Sequence, residues 1–244
     1  MGNVVRRSAR AILPNAVLNG YGSTRLVWRA RKLNRQALDA ESTQQRLEAI
    51  FGFEEFRPCQ QKSELLAFLT YIESLRPVAV CEIGSAAGGT LCALAHSSGD
   101  KAVVISIDQD FTPARLKAFP NFRRPDQSVT CIPGNSHSTQ VCSRVLSILA
   151  GRKLDVLFID GDHSPAAVRA DFEMYRTFVR PGGIIAFHDI VPDFKTRYGK
   201  PTSADSGGVP GFWQQLRRQY GATREFVESP QQDGYGIGVL TWRG

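Results

Sequence analysis

The spacing of apolar positions along the chain changes period, and each change predicts an element. Between Gln44 and Leu75 the residues Leu47, Ile50 and Phe51, then Leu65, Leu66, Phe68, Leu69 and Ile72, return every three or four positions. That spacing predicts two helices, separated at Arg57-Pro58. Beyond them short apolar runs alternate with helical stretches. Strands are predicted at Val78–Ile83, Ala102–Ile107, Val129–Pro133, Val156–Ile159 and Gly183–Phe187, and helices at Gly89–Ala95, Pro113–Ala118, Thr139–Leu149 and Pro165–Val179. Such alternation predicts an α/β fold, a parallel sheet with helices on both faces. The rhythm then changes: a helix over Phe212–Tyr220 is followed by two strand-like runs, Arg224–Val227 and Gly236–Trp242, which predict an antiparallel hairpin at one sheet edge. Val191–Val209 is a polar loop with Gly and Pro, of the length of a lid or binding loop.

Composition bounds this picture. A chain of 244 residues, 42% hydrophobic and 22% charged, suits one soluble domain with an appendage, and no apolar run approaches the roughly 20 residues that span a bilayer. The net charge of +7 is unevenly placed. Residues 1–38 hold eight Arg/Lys and no acid, which leaves 22 basic against 23 acidic residues beyond them. The division expected is a basic N-terminal extension, 1–38, and a domain, 39–244, in which the helices of 39–76 cap the site. Two readings of the extension stand side by side: an amphipathic segment that contacts a membrane surface, or a solvated arm that packs on its own domain or on a second copy in a homo-oligomer. Pro14 and Asn15 end the short apolar run Ala11-Ile12-Leu13, so the N-terminus is read as uncleaved. Five cysteines without any C-x-x-C spacing fit reduced thiols and a cytoplasmic, membrane-peripheral at most, location.

The stretch AVCEIGSAAGGTL places Glu82 near a strand end and Gly84, Gly88 and Gly89 in the turn that enters a helix. Glycines there let backbone approach a ligand, and the helix N-terminus offers unpaired N–H groups. Asp108 ends the second strand about 20 residues later, where a carboxylate can accept both hydroxyls of a ribose. The dinucleotide fingerprint G-x-G-x-x-G is absent, and Gly84-x-x-x-Gly88 stands in its place. In these residues the sequence resembles the class I S-adenosylmethionine-dependent methyltransferases, over roughly Val78 to Trp242. The resemblance implies a Rossmann-like, seven-stranded, mostly parallel sheet and S-adenosylmethionine as cofactor. It assigns Glu82, Gly84, Ser85 and Gly88 to the amino-acid part of that cofactor, Asp108 to the ribose, and Asn135 and Ser136 of CIPGNSHS to the adenine.

LDVLFIDGDHSPAAV follows the fourth strand, on the carboxyl edge where open α/β sheets receive ligands, with Ser164 as N-cap and Pro165 as first helical residue. The next strand ends AFHDI and brings His188 and Asp189 to the same edge. Asp160, His188 and Asp189 can together coordinate a divalent cation, leaving His163 as general base, while Asp162 reads as a turn residue. This set is similar to that of metal-dependent O-methyltransferases of the catechol type and of the bacterial sugar and antibiotic group. It departs from them at His188, where an acid is common, which brings Mn²⁺ forward beside Mg²⁺. The expected reaction is O-methylation of a small molecule or glycan. A nucleic-acid methyltransferase is the second reading, motivated by the basic arm and opposed by the near-neutral body and the absence of an N-P-P-Y-type motif; a non-catalytic cofactor-binding protein is the third.

Overall fold

The computed structural model describes residues 22–244, and the first part of the expected extension, 1–21, lies outside them. Seven strands form one sheet: β1 (Ala79–Ile83), β2 (Val103–Asp108), β3 (Ser128–Pro133), β4 (Leu154–Ile159), β5 (Val179–His188), β6 (Thr223–Phe226) and β7 (Ile237–Thr241), in the order β3-β2-β1-β4-β5-β7-β6. The first five are parallel; β7 lies antiparallel between β5 and β6, as the C-terminal pattern predicts. The chain reverses its direction of travel across the sheet between β1 and β4, the switch point at which such sheets open a crevice.

The strands divide their side chains by the period of two. Val80, Val104, Val156, Phe158, Ile184 and Ala186 enter one core with α1 (Ser23–Asp39), α2 (Thr43–Phe51), α3 (Lys62–Leu75), α4 (Gly89–His96) and α5 (Pro113–Ala118). Cys81, Ile83, Ile105, Ile107, Leu157, Ile159, Ile185 and Phe187 enter the other, with α6 (Thr139–Leu149), α7 (Pro165–Tyr175) and α9 (Val209–Tyr220). Burial on both faces is why the central strands read as continuous apolar runs. Side-chain oxygens close the helix starts: Ser42 accepts from the Gln45 amide, Thr112 from Arg115, Ser138 from Gln140 and Ser164 from Ala167.

Three differences from expectation have local causes. Residues 23–38, read as part of the extension, form most of helix α1, whose Leu26, Ala30 and Leu33 enter the first core and whose Ala37 is buried as well. The helix after β4 stops at Tyr175, and a 3₁₀ turn over Arg176–Phe178 lets Val179 begin β5, which is irregular between Val179 and Ile184 around Pro181-Gly182. The loop 191–209 holds a short helix, α8 (Phe194–Tyr198), capped by the buried Asp193.

The segment after α2 is seated by glycine. It runs through a 3₁₀ turn, Glu54–Phe56, and passes so close to the start of α4 that a Cβ on Gly89 would press into the Phe56 carbonyl and stand 2.7 Å from the Pro58 ring. Gly89→Ala is therefore expected to destabilise the fold by about 1–3 kcal/mol through overpacking. A lowered urea midpoint at unchanged slope is the measurement; an unchanged midpoint would show that the segment moves aside freely.

Candidate functional site

Parallel pairing of β4 and β5 sets Ile159 opposite Phe187, so the residues that follow emerge side by side. Asp160, still tied to the sheet by its amide on the Ile83 carbonyl (2.8 Å), meets His188 and Asp189 there. His188 Nδ1 lies 3.4 Å from Asp160 Oδ1 and 3.0 Å from Asp189 Oδ2, and His163 Nε2 lies 3.5 and 3.4 Å from the same two atoms. One ligand atom each from Asp160, His163 and Asp189 falls within 4.8 Å of the others, a spacing that suits one metal ion. His163, expected as base, thus stands as close to the acid pair as His188, expected as ligand. The two differ in setting: the His163 side chain keeps 11% of its exposure and that of His188 only 3%.

Three of these groups have a second partner that fixes them, while His188 Nε2 is buried without a hydrogen-bond partner among the described residues. His163 Nδ1 hydrogen-bonds the Asp205 carbonyl oxygen, Asp189 Oδ1 accepts from the Tyr235 amide at 3.1 Å, and Asp160 Oδ2 accepts from Gln60 Nε2 at 2.7 Å. Asp189 itself holds a left-handed backbone, φ 61°, uncommon for a side-chain-bearing residue and found at constrained sites. Burial pushes both imidazoles down, and the Asp160 and Asp189 carboxylates outweigh it, leaving His163 raised and His188 well above its ordinary value. Asp162 is the turn residue expected: its Oδ1 accepts from the Ser164 amide.

A cavity of about 240 Å³ opens on this cluster. Its walls include Gly84, Ser85 and Gly88 of the glycine turn, Arg57–Gln60 of the segment after α2, Ser203–Asp205 of the long loop, and Tyr235. Gln60 is the residue that sequence reasoning missed: its Oε1 accepts from Thr90 Oγ1 (2.8 Å) while its Nε2 donates to Asp160, linking the start of α4 to the end of β4. The partners are 30 and 100 residues away, and no local pattern signals them.

The expected cofactor residues separate into two groups. Gly84 and Gly88, with φ 91° and 86°, and Ser85 line the cavity. Glu82 lies beneath the turn, fully buried, with Oε2 accepting from Ser85 and Ser106 hydroxyls and Oε1 without a hydrogen-bond partner. Asp108, Asn135 and Ser136 are not brought to the cavity. Asp108 Oδ2 instead accepts from the amides of Ser85 (2.8 Å) and Ala86 (2.9 Å), bracing the turn from β2. Asn135 Oδ1 closes its own turn on the His137 amide, and the Ser136 carbonyl accepts from Tyr175 Oη. Bare left-handed backbone beside a cavity, with a buried carboxyl oxygen left unsatisfied, is a setting that fits the amino-acid end of S-adenosylmethionine.

Comparison with known proteins bears on the fold. Residues 81–190 match a family model described as a methyltransferase domain. An O-methyltransferase from Bacillus cereus, solved with S-adenosylhomocysteine, superposes over 90% of this chain and 100% of its own, with a TM-score of 0.56 and 13% identity. The O-methyltransferase TomG from Streptomyces achromogenes, solved with S-adenosylmethionine, covers 84% of this chain and 91% of its own, with a TM-score of 0.52 and 13% identity. The fold is thus the class I methyltransferase fold. No curated protein sequence matches the chain.

Burial pushes Glu82 up to about 8, although the Ser106 and Ser85 hydroxyls pull it down. The folded chain therefore keeps a proton that the unfolded chain, with an ordinary value of 4.5, releases earlier. Stability linked to that proton is full below about pH 4.5 and is lost as pH rises through about 8. Glu82→Gln, which cannot titrate, is expected to flatten this slope and to gain on the wild type near pH 8 by on the order of a few kcal/mol. Calorimetric melting of the ligand-free protein across pH reads the effect, and parallel profiles for the two proteins would exclude a neutral Glu82.

Proposed function

We propose that this chain, which carries a class I S-adenosylmethionine-dependent methyltransferase domain, transfers the cofactor's methyl group to a hydroxyl oxygen of a small molecule or glycan with the help of a divalent cation. The observation that carries the reading is the convergence of Asp160, His163, His188 and Asp189 on one cavity whose other wall is the glycine turn. A cavity of about 240 Å³ roofed by Ser203–Asp205 and Tyr235 supports a small acceptor group.

Methyl transfer needs an in-line approach and a nucleophile free of its proton. The hydrogen bond from His163 Nδ1 to the Asp205 carbonyl selects the tautomer whose Nε2 is the acceptor, and the ring keeps the exposure that its partner His188 lacks. As the acceptor oxygen bonds to the methyl carbon, the C–S bond breaks and its electron pair stays on sulfur. The hydroxyl proton passes to His163 Nε2, and the Asp160 and Asp189 carboxylates offset the imidazolium charge. Those two carboxylates, with His188 Nδ1 3.4 and 3.0 Å from their oxygens, are the residues that would hold the cation. A bound divalent cation supplies Lewis acidity, which lowers the pKa of a hydroxyl. The mixed oxygen and nitrogen set suits Mn²⁺ as well as Mg²⁺.

Two variants separate the roles. His163→Ala should lower turnover by about 100- to 10,000-fold, followed as S-adenosylhomocysteine release with an acceptor found by screening hydroxyl compounds, while calorimetric Mn²⁺ and S-adenosylhomocysteine affinities stay as in the wild type. His188→Ala should weaken Mn²⁺ by about 10- to 100-fold. Loss of Mn²⁺ binding in His163→Ala would make His163 the ligand and remove it as base; turnover indifferent to chelator would remove the cation and leave methyl transfer standing.

A further inference from the structure

Helix α1 presents a second surface, remote in character from the cavity. Its inner face is fixed by the buried Leu26, Ala30, Leu33 and Ala37, the first three packed into the first core, so its outer face is determined as well. On that outer face Trp28, Arg31, Lys32 and Arg35 are exposed, with Arg31 and Lys32 three and four positions after Trp28 and Arg35 four and three after them, which places them on one stripe of the helix. Trp28 is 58% exposed, although Trp213 and Trp242 are buried. Leu38, exposed as well, extends the apolar part of the stripe.

The stripe is cationic and lacks counter-charge. Arg29 turns inward to Glu55, with Nη2 3.1 Å from Oε2, whereas no carboxylate among the described residues lies within ion-pair distance of Arg31, Lys32 or Arg35. Lys32 Nζ sits 5.6 Å from the centre of the Trp28 ring instead. Two hydrogen bonds join α1 to the turn after α5, Arg31 Nε to Asn121 Oδ1 (3.1 Å) and Asn34 Nδ2 to the Arg123 carbonyl (3.0 Å), so the exposed Arg123 continues the basic surface. Upstream in sequence Arg6, Arg7 and Arg10 add positive charge with no acid. No helix among the described residues is long and apolar enough to cross a membrane.

We propose that the outer face of α1 docks this protein on an anionic lipid surface, with Trp28 seated among the headgroups and Arg31, Lys32, Arg35 and Arg123 against their phosphates. A single amphipathic ring flanked by unpaired cations on a convex helical ridge is the chemistry of a bilayer interface. Pairing with a second copy through this face would set like charges against one another. A nucleic acid would be expected to engage a groove with several stacking rings, and the stripe offers one ring on a ridge.

The test uses the full-length chain and vesicles of phosphatidylcholine, alone or mixed with phosphatidylglycerol. Co-sedimentation is expected with the mixed vesicles only, with a blue shift of tryptophan emission, and with about tenfold weaker binding between about 0.1 and 0.5 M salt. The combined substitutions Arg31→Glu, Lys32→Glu and Arg35→Glu should weaken it at least about tenfold, while Trp28→Ala should abolish the emission shift; melting temperature and S-adenosylhomocysteine affinity serve as folding controls. Should the triple variant fail to fold, Lys32→Glu alone with Trp28→Ala decides. No sedimentation with anionic vesicles at low salt, undiminished binding by folded charge-reversal variants, or preferential capture by a mixed-sequence RNA that strips the protein from vesicles would each overturn the proposal.

Discussion

Two carboxylates, Asp160 and Asp189, are held at neighbouring strand ends where both side chains keep little contact with solvent, and each has an oxygen turned toward the same pair of imidazoles. Like charges so placed repel and are poorly hydrated, so positive charge must accompany them as protons on His163 and His188 or as a cation between the acids. The rest of the site follows from this requirement. Gln60, the Tyr235 amide and the Asp205 carbonyl each occupy one remaining hydrogen-bonding position of Asp160, Asp189 and His163 respectively, and each comes from a different connecting segment. Those segments are therefore positioned by the electrostatics of β4 and β5, and the cavity takes its shape from where they stop.

The glycine turn is built to the opposite rule. Where the acid cluster gathers side chains, the turn removes them, because Phe119 lies where a Cβ on Gly88 would stand and the Phe56–Pro58 segment lies against Gly89. The bare backbone is braced from beneath by Asp108, whose oxygen accepts two of its amides. A carboxylate in that role fixes the curvature of the turn before any ligand arrives. The same packing that seats Phe56 and Pro58 delivers Gln60 to Asp160, so the glycines govern the acid cluster through an intermediate that neither motif contains.

Much of this was legible in the chain because its signals are local. Short apolar runs alternating with helical stretches, Ser-Pro at the start of α7 and the acidic residues at two strand ends depend on neighbours a few residues apart. Helix α1 carries a local signal too, in the spacing of Leu26, Ala30, Leu33 and Ala37, but a run of basic residues without an acid reads first as an extension. Asp108 shows a different limit of local signals. Its position at the end of β2 is set by sequence, whereas the partner it chooses depends on how the turn after β1 folds back over it. Gln60, Thr90 and Tyr235 carry no periodic mark at all, since their contacts join segments far apart in the chain.

Charge placement limits what can draw a molecule to the cavity. Beyond residue 38 the chain holds 22 basic and 23 acidic residues, so its net field at the cavity is small and long-range steering of charged molecules is weak. The excess positive charge lies in residues 1–38, and the Arg29–Glu55 ion pair marks where that stretch meets the body, with burial pushing Glu55 up and the Arg29 guanidinium more than offsetting it to hold the carboxyl below its usual value. Selection must then rest on short-range contacts with the groups that line the cavity. Among these Arg57 is the one guanidinium, and its Nε and Nη2 already share the Phe51 carbonyl at 3.3 and 3.2 Å. What remains to make contacts there is backbone of the glycine turn, Tyr235, and the carboxylates and imidazoles of the strand-end cluster, so short-range hydrogen bonding and the charge state of that cluster decide what the cavity accepts.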